Sequence, residues 1–241
     1  MHVGGLWRYP VKSLKGERLD EANLTSDGIA GDRIVHVRGL HGPLTGRTRH
    51  ELLTLAGSTG EDGVPRVNGH AWDTEEAAGT IRRATREPSE LVPFEGAARF
   101  DILNLLVATD SAIEKFGYDI GRLRPNILIS GTAGQDERDW VGRAIRIGDA
   151  VVGLYARRMR CVVTTIDPDT GAQDLDVFRR IRSEFEGKLA LDSWVISPGI
   201  VRAGDPVELI DRDVEPEIVG GWVVGAPYRT GSHDAGSETR T

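Results

Sequence analysis

The chain has one cysteine, Cys161, among 241 residues. A single thiol cannot close an internal disulfide, so a reducing cytoplasm is the expected setting. It also excludes CxxC redox pairs and clustered-cysteine metal sites. No apolar run approaches about 18 residues, so no transmembrane helix and no membrane partner are expected. The start, MHVGGLWRYPVKS, lacks the basic-then-apolar pattern of a signal peptide. There is no HExxH, no P-loop and no Gly-x-Ser-x-Gly elbow. The six histidines are scattered without ligand spacing. Positive charge is also short: the net charge of −7 argues against nucleic acid as the main partner. A local basic pocket stays open.

What is present is ordinary for a globular protein, with 39% hydrophobic and 28% charged residues. Short apolar runs broken by Gly, Asp and Pro predict strands at 6–11, 19–25 and 34–38, as a small antiparallel sheet or barrel. Further strands are expected at 126–130, 144–147, 151–155, 161–166, 194–197 and 207–210. Residues 56–98 read as irregular loops with one hairpin. The segment 109–116 reads as a helix started by a Ser111/Glu114 capping box. A second helix follows from the stripe Leu175, Phe178, Arg182 and Phe185, with Asp174 and Asp176 at its start. The stretch 211–241 reads as a loose polar tail holding one apolar patch at 222–224. The fold class is mainly β with a few helices (α+β).

The cysteine stands in "RRMRCVVTTIDPDTG", Arg157–Gly171. Asp167 opens a turn, Pro168 fixes φ and Gly171 redirects the chain, which accounts for DPDTG without any function. Cys161 itself could be a small hydrophobe at a strand start. The flanking arginines weaken that reading, because a nearby guanidinium favours thiolate over thiol. A thiolate beside positive charge is a nucleophile, a redox sensor or a soft-metal ligand, and spacing alone does not choose among them.

This segment resembles the cysteine segment of the MOSC domain, shared by molybdenum-cofactor sulfurases and amidoxime-reducing molybdoenzymes. Other segments support the resemblance in order along the chain. "LWRYPVKSLKG" (6–16) and "DGIAGDRIV" (27–35) resemble the N-terminal β-barrel module that precedes MOSC. "RLRPNILISG" (122–131) and "GIVRAGDPVEL" (199–209) resemble the start and closing strand of MOSC itself. The resemblance implies an N-terminal β-barrel-like module over 1–95, packed on a MOSC β-barrel domain over 96–211, with a loose tail at 212–241.

It also implies a cofactor, molybdenum on a molybdopterin, with Cys161 as the protein thiolate on the metal and the catalytic residue. Thiolates suit such soft-ligand chemistry. Lys12, Ser13, Arg33, Arg124 and Arg160 match cofactor contacts of the family, and Asp101 and Asn126 are added to that set. Arginine suits a phosphate because its planar fork binds two oxygens. The implied function is a molybdenum oxidoreductase acting on N-hydroxylated or related N-oxygenated small substrates. With no cysteine left for an iron–sulfur cluster, the electrons must come from a separate ferredoxin, flavoprotein or cytochrome. Two alternatives stay open: a persulfide carrier on Cys161, or a non-catalytic molybdopterin carrier. Leu103 and Asn104, Met159, and the segment "GKLALDSWVI" depart from the family pattern around the implied pocket.

Overall fold

The computed structural model describes residues 1–96, 99–211, 218–219 and 222–223. Its centre is an eight-stranded sheet in the order Glu208–Asp211, Arg143–Ile147, Ala150–Met159, Lys188–Ser197, Leu105–Thr109, Ile127–Ser130, His2–Arg8, Glu17–Leu19. The two ten-residue strands, Ala150–Met159 and Lys188–Ser197, form an antiparallel pair at its middle. Val152 faces Val195 in this pair, and Gly153 faces Trp194. A Cβ on Gly153 would lie 2.3 Å from the indole of Trp194, so only glycine lets that ring lie across the partner strand. The one parallel strand pair of this sheet, Leu105–Thr109 with Ile127–Ser130, is bridged by a helix, the usual crossover between parallel strands.

The expected barrel is not closed, because the two end strands of the sheet do not pair. The sheet nevertheless curls toward itself. Val3 N–H donates to the Asp205 carbonyl at 2.9 Å and Val207 N–H to the Met1 carbonyl at 3.0 Å. These bonds bring the chain start to the segment just before Glu208–Asp211.

One buried cluster draws on residues from both sides of residue 95. Val3, Leu6, Ala22, Leu24 and Ile29 pack in one cluster with Leu105, Val107, Ile127, Ile145 and Val201. Strand Glu21–Thr25 pairs with Gly199–Arg202. Most of the rest of the first hundred residues surrounds its own cluster of Val11, Leu14, Val35, Val37, Leu52, Ile81 and Leu91.

Several local expectations need correction. The stretch 56–98 is more ordered than read. It holds three short strands, Gly57–Thr59, Pro65–Val67 and His70–Ala71, then helix α1 (Glu75–Thr85), then Ser89–Pro93, which pairs with Val35–Gly39. Helix α1 escapes a hydrophobicity reading because its buried side is thin, with Ala77, Ile81 and Ala84 spaced one helical turn apart. Helix α2 (Asp110–Phe116) is capped by Thr109, whose side chain accepts from Ala112 N–H, and not by Ser111. Helix α3 (Leu175–Phe185) starts at Asp174 as expected, but buries Val177, Ile181 and Phe185 while Leu175 and Phe178 face solvent.

Residues 161–166 are not a strand. Val162–Thr165 is a short 3₁₀ turn with Cys161 at its cap position. The Thr164 and Thr165 hydroxyls donate to the carbonyls of Cys161 and Val162 at 2.8 and 2.7 Å. Such local side-chain bonds override the β preference of a Val-Val-Thr-Thr run. The turn after it is as read: the Asp167 carboxylate accepts from Asp169 and Thr170 N–H, and Gly171 has φ 73°. In the tail, Ile218–Val219 pairs with Trp222–Val223. Val224 and most of the expected loose tail lie outside the described residues.

Candidate functional site

A cavity of about 590 Å³ opens between the two halves of the chain. Its wall includes all eight residues singled out in the sequence: Lys12, Ser13, Arg33, Asp101, Arg124, Asn126, Arg160 and Cys161. They arrive on separate connections. Lys12 and Ser13 follow strand His2–Arg8, Arg33 precedes Val35–Gly39, and Arg124 and Asn126 precede Ile127–Ser130. Arg160 and Cys161 leave the end of Ala150–Met159. Ser13, Arg33 and Arg124 have φ of 74°, 55° and 59°, the left-handed region that non-glycine residues avoid. Backbone strain of this kind clusters at binding sites, where surrounding contacts hold it in place.

One such contact is Asp32, fully buried beneath the cavity. Its carboxylate accepts from Tyr9 N–H at 2.7 Å and from the Asn126 amide at 3.2 Å, and it pairs with Arg33. Asn126 also donates to the Trp7 carbonyl and accepts from Leu106 N–H, both at 3.2 Å. Its amide is therefore engaged by the protein, and its visible work is to tie three segments together. The Tyr9 hydroxyl donates to the Pro125 carbonyl at 2.9 Å. The same ring lies 4.8 Å from the Arg33 guanidinium and 4.4 Å from that of Arg124. Burial pushes the Tyr9 phenol up to about 12 against the pull of both arginines, so it stays a neutral donor. Asp32 and Tyr9 were missed by a reading that took only Arg33 from "GDR" and Lys12 and Ser13 from "YPVKS".

The wall is strongly cationic. Eight lysines and arginines line it, against the two carboxylates of Asp101 and Asp192. Lys12 and Arg47 both reach Asp101 at 3.1 Å. Burial alone would raise the Asp101 carboxyl, but the charges of Lys12, Arg47 and Arg158 hold it down at about 2. Burial lowers the Lys12 ammonium, with Asp101 opposing. Burial also brings the Arg124 guanidinium down to about 10, still a cation at neutral pH. Among the described residues that guanidinium meets only the Tyr9 ring and has no hydrogen-bond acceptor. Arg160 donates Nη2 to the Leu123 carbonyl at 2.7 Å, while its buried Nε has no partner. Burial, then repulsion by Arg158, brings it to about 10 as well. Two desolvated guanidiniums short of acceptors suit an anionic guest.

The Cys161 thiol is free and exposed at the same wall. Among the described residues no three His, Cys, Asp or Glu side chains gather as a metal site. A metal here would arrive on a ligand of its own and take one protein thiolate. The sequence reading also missed Arg47, Lys188 and the buried pair of Arg158 with Asp192. Asp192 had one visible signal: it is the only charge within the apolar run Leu189–Ile196.

Comparisons with known proteins agree with the residue-level resemblance. The model of the MOSC N-terminal beta barrel domain matches residues 1–100, and that of the MOSC domain matches residues 106–208. Mitochondrial amidoxime-reducing component 1 of Mus musculus is 26% identical over 87% of this chain and 82% of its own length. Mitochondrial amidoxime reducing component 2 of Macaca fascicularis is 25% identical over 85% of this chain and 82% of its own. Among solved structures, YiiM from Escherichia coli aligns at 15% identity over 89% of this chain and 72% of that one, with a TM-score of 0.44. With the two family models together matching residues 1–100 and 106–208, the chain belongs to the MOSC-domain proteins that carry the N-terminal β-barrel module.

Proposed function

We propose that this protein is a molybdenum-cofactor-dependent oxidoreductase acting on N-oxygenated small molecules. One observation carries the reading: an exposed thiol shares a cationic cavity with two guanidiniums short of acceptors, Arg124 and Arg160. The residues fit a molybdopterin. Arg124 and Arg160 would take its phosphate and polar ring atoms, with Lys12, Ser13 and Arg33 completing the wall. Cys161 would be the protein's thiolate on the metal. When bound, that cofactor supplies two-electron chemistry in which an oxygen atom leaves an N-hydroxylated or related substrate. The names of the amidoxime-reducing relatives support this reaction class. The chain's own work is placement: Asp32, Tyr9 and Asn126 fix the strained turns that present Arg33 and Arg124. The single cysteine of these 241 residues cannot hold an iron–sulfur cluster, so electrons would come from a donor outside them.

The exposure of Cys161 also suits a second reading, a thiol that carries sulfur as a persulfide. Metal and pterin content of protein from a molybdenum-replete host separates the two. About one molybdenum and one pterin per chain, with turnover of an N-hydroxylated substrate on an artificial reductant, is the expected result. Neither metal nor pterin, with labile sulfur on the thiol, would replace it with the carrier. Cys161→Ser should abolish the native metal signature and turnover with the fold intact, because a serine hydroxyl rarely ionises near neutral pH. Unchanged metal spectroscopy in that variant would remove Cys161 as ligand.

A further inference from the structure

One buried carboxylate stands outside the cavity and outside the cofactor set. Glu137 opens the 3₁₀ turn Glu137–Trp140 and is 5% exposed. Its Oε1 accepts from the Thr109 N–H at 3.1 Å and from the Thr109 hydroxyl at 3.2 Å. Its Oε2 accepts from the Ala190 N–H at 2.9 Å. Burial pushes this carboxyl up, and the three donors and the charge of Arg157 oppose the rise. The two donor residues belong to neighbouring strands. Leu105–Thr109 pairs with Lys188–Ser197 only as far as Val107 opposite Leu191. Beyond that point the strands part, and the carboxylate spans the gap where backbone acceptors are missing.

Ala190 lies where the opposite edge of its strand is irregular. Its φ is 66°, the left-handed region in which a bulge favours glycine. Arg157 pairs with Leu191, but Met159 pairs with Lys188. Two steps along one strand are matched by three along the other, so an extra residue bulges at Leu189–Ala190. Straight pairing from Arg157 would set Lys188 opposite Arg160, one residue out of the observed register. The bulge keeps Lys188 opposite Met159 and lets the Arg160 N–H reach the Gly187 carbonyl at 2.9 Å. Lys188 and Arg160 both line the cavity.

We infer that Glu137 is a positioning residue for the cavity: it holds the bulge at Ala190, and the bulge sets where Lys188 and Arg160 present their charge. Without the carboxylate, two N–H groups lose their acceptor and Ala190 loses the bond that keeps its backbone in a disfavoured region. Bulges beside binding sites re-aim side chains in this way. The inference rests on the cavity being the seat of an anionic cofactor. The simpler alternative is that Glu137 only ties two strands, so that its loss lowers stability and nothing else.

The test reads anion binding apart from turnover. Full-length protein from a host unable to make the pterin is titrated with inorganic phosphate by calorimetry, and its thermal melting is recorded. The same variants from a molybdenum-replete host are assayed for molybdenum and pterin. Glu137→Gln offers one acceptor atom in place of two, and should weaken phosphate binding by about tenfold and lower cofactor content. Glu137→Asp keeps the charge but shortens the reach. It should shift phosphate affinity in the same direction, and it decides the matter if Glu137→Gln is insoluble. Adding Ala190→Gly to either variant relieves the backbone and should return phosphate affinity to within about threefold of wild type. The melting temperature should stay low, because a buried methyl is lost and Thr109 still lacks its acceptor. Phosphate affinity unchanged in the single variants, or lost without recovery on Ala190→Gly, overturns the inference and leaves Glu137 as a strand tie. Wild type without measurable phosphate affinity overturns it as well. If phosphate affinity follows the expected pattern while molybdenum and pterin are absent, the positioning role holds and the oxidoreductase reading is what fails.

Discussion

At the residue scale the string itself marked Cys161 and the arginines beside it, while Lys12, Ser13, Arg33 and Arg124 were found through the resemblance to the family. The charges of Arg47, Lys188 and Asp192 line the same cavity and were found by neither route. Asp32 and Tyr9 were missed too, because their work is to hold other residues, and nothing in a linear string shows that. Arg124 is the sharpest test of the anion reading, as its guanidinium has no acceptor among the described residues. Arg124→Ala should lower cofactor occupancy far more than it lowers apo-protein stability. A lost charge-assisted bond of about 1.5–3 kcal/mol corresponds to roughly tenfold or more in affinity. Equal metal and pterin content in wild type and variant would return Arg124 to an ordinary loop cation. Asp101 gives a pH test. Its carboxyl is held at about 2 by the surrounding cations, below its ordinary value. A carboxylate lowered on folding stabilises the fold above its unfolded pKa, near 4, and loses that contribution as pH falls through about 2. The melting temperature of wild type should therefore exceed that of Asp101→Asn at pH 6, with the gap closing toward pH 2. A gap that is constant over this range would mean that the charge of Asp101 contributes nothing to folding.

At the element scale the sequence was right where periodicity was strong and wrong where short-range hydrogen bonds decide. Most strands of the central sheet were placed within a few residues, because alternating Val, Ile and Leu mark a pleated face. Leu105–Thr109, buried along its whole length and so without alternation, was missed, and only the second half of Lys188–Ser197 was read. The segment 161–166 misled for the opposite reason. Its β-branched side chains include two threonines that bond back to their own turn and draw the chain away from the sheet. The consequence bears on function: Cys161 sits at a turn where its thiol is exposed, not within a strand. Helix α3 offers a check on phase. Ile181 is fully buried and Phe178 is not, although both are large and apolar. Ile181→Ala should cost about 2–5 kcal/mol in urea unfolding. Phe178→Ala should cost well under half as much, and equal losses would favour the stripe read from the sequence.

At the scale of the whole molecule the two family segments interlock through one sheet. The resemblance implies a boundary near residue 95, and the two family models part between residues 100 and 106. Neither shows that His2–Arg8 pairs with Ile127–Ser130, or that Glu21–Thr25 pairs with Gly199–Arg202, because both contacts join distant parts of the chain. The cavity follows from this arrangement, since its cations come from both sides of that boundary. A fragment of residues 96–211 would lose Val3, Leu6, Ala22, Leu24 and Ile29 from its core. It would also expose the unpaired edge of Ile127–Ser130, an invitation to aggregate. At about 1.5–3 kcal/mol for each large apolar side chain, the loss is on the order of 10 kcal/mol. That is comparable to the whole stability of a typical domain. The fragment should therefore fail to fold alone, with no cooperative thermal transition and poor dispersion of its amide resonances. Supplying residues 1–95 as a second chain in the same cells should recover soluble complex and, with it, cofactor. Cooperative unfolding of the isolated fragment would show that the first thirty residues decorate an independent domain, and the cavity would then be a junction between two separable modules.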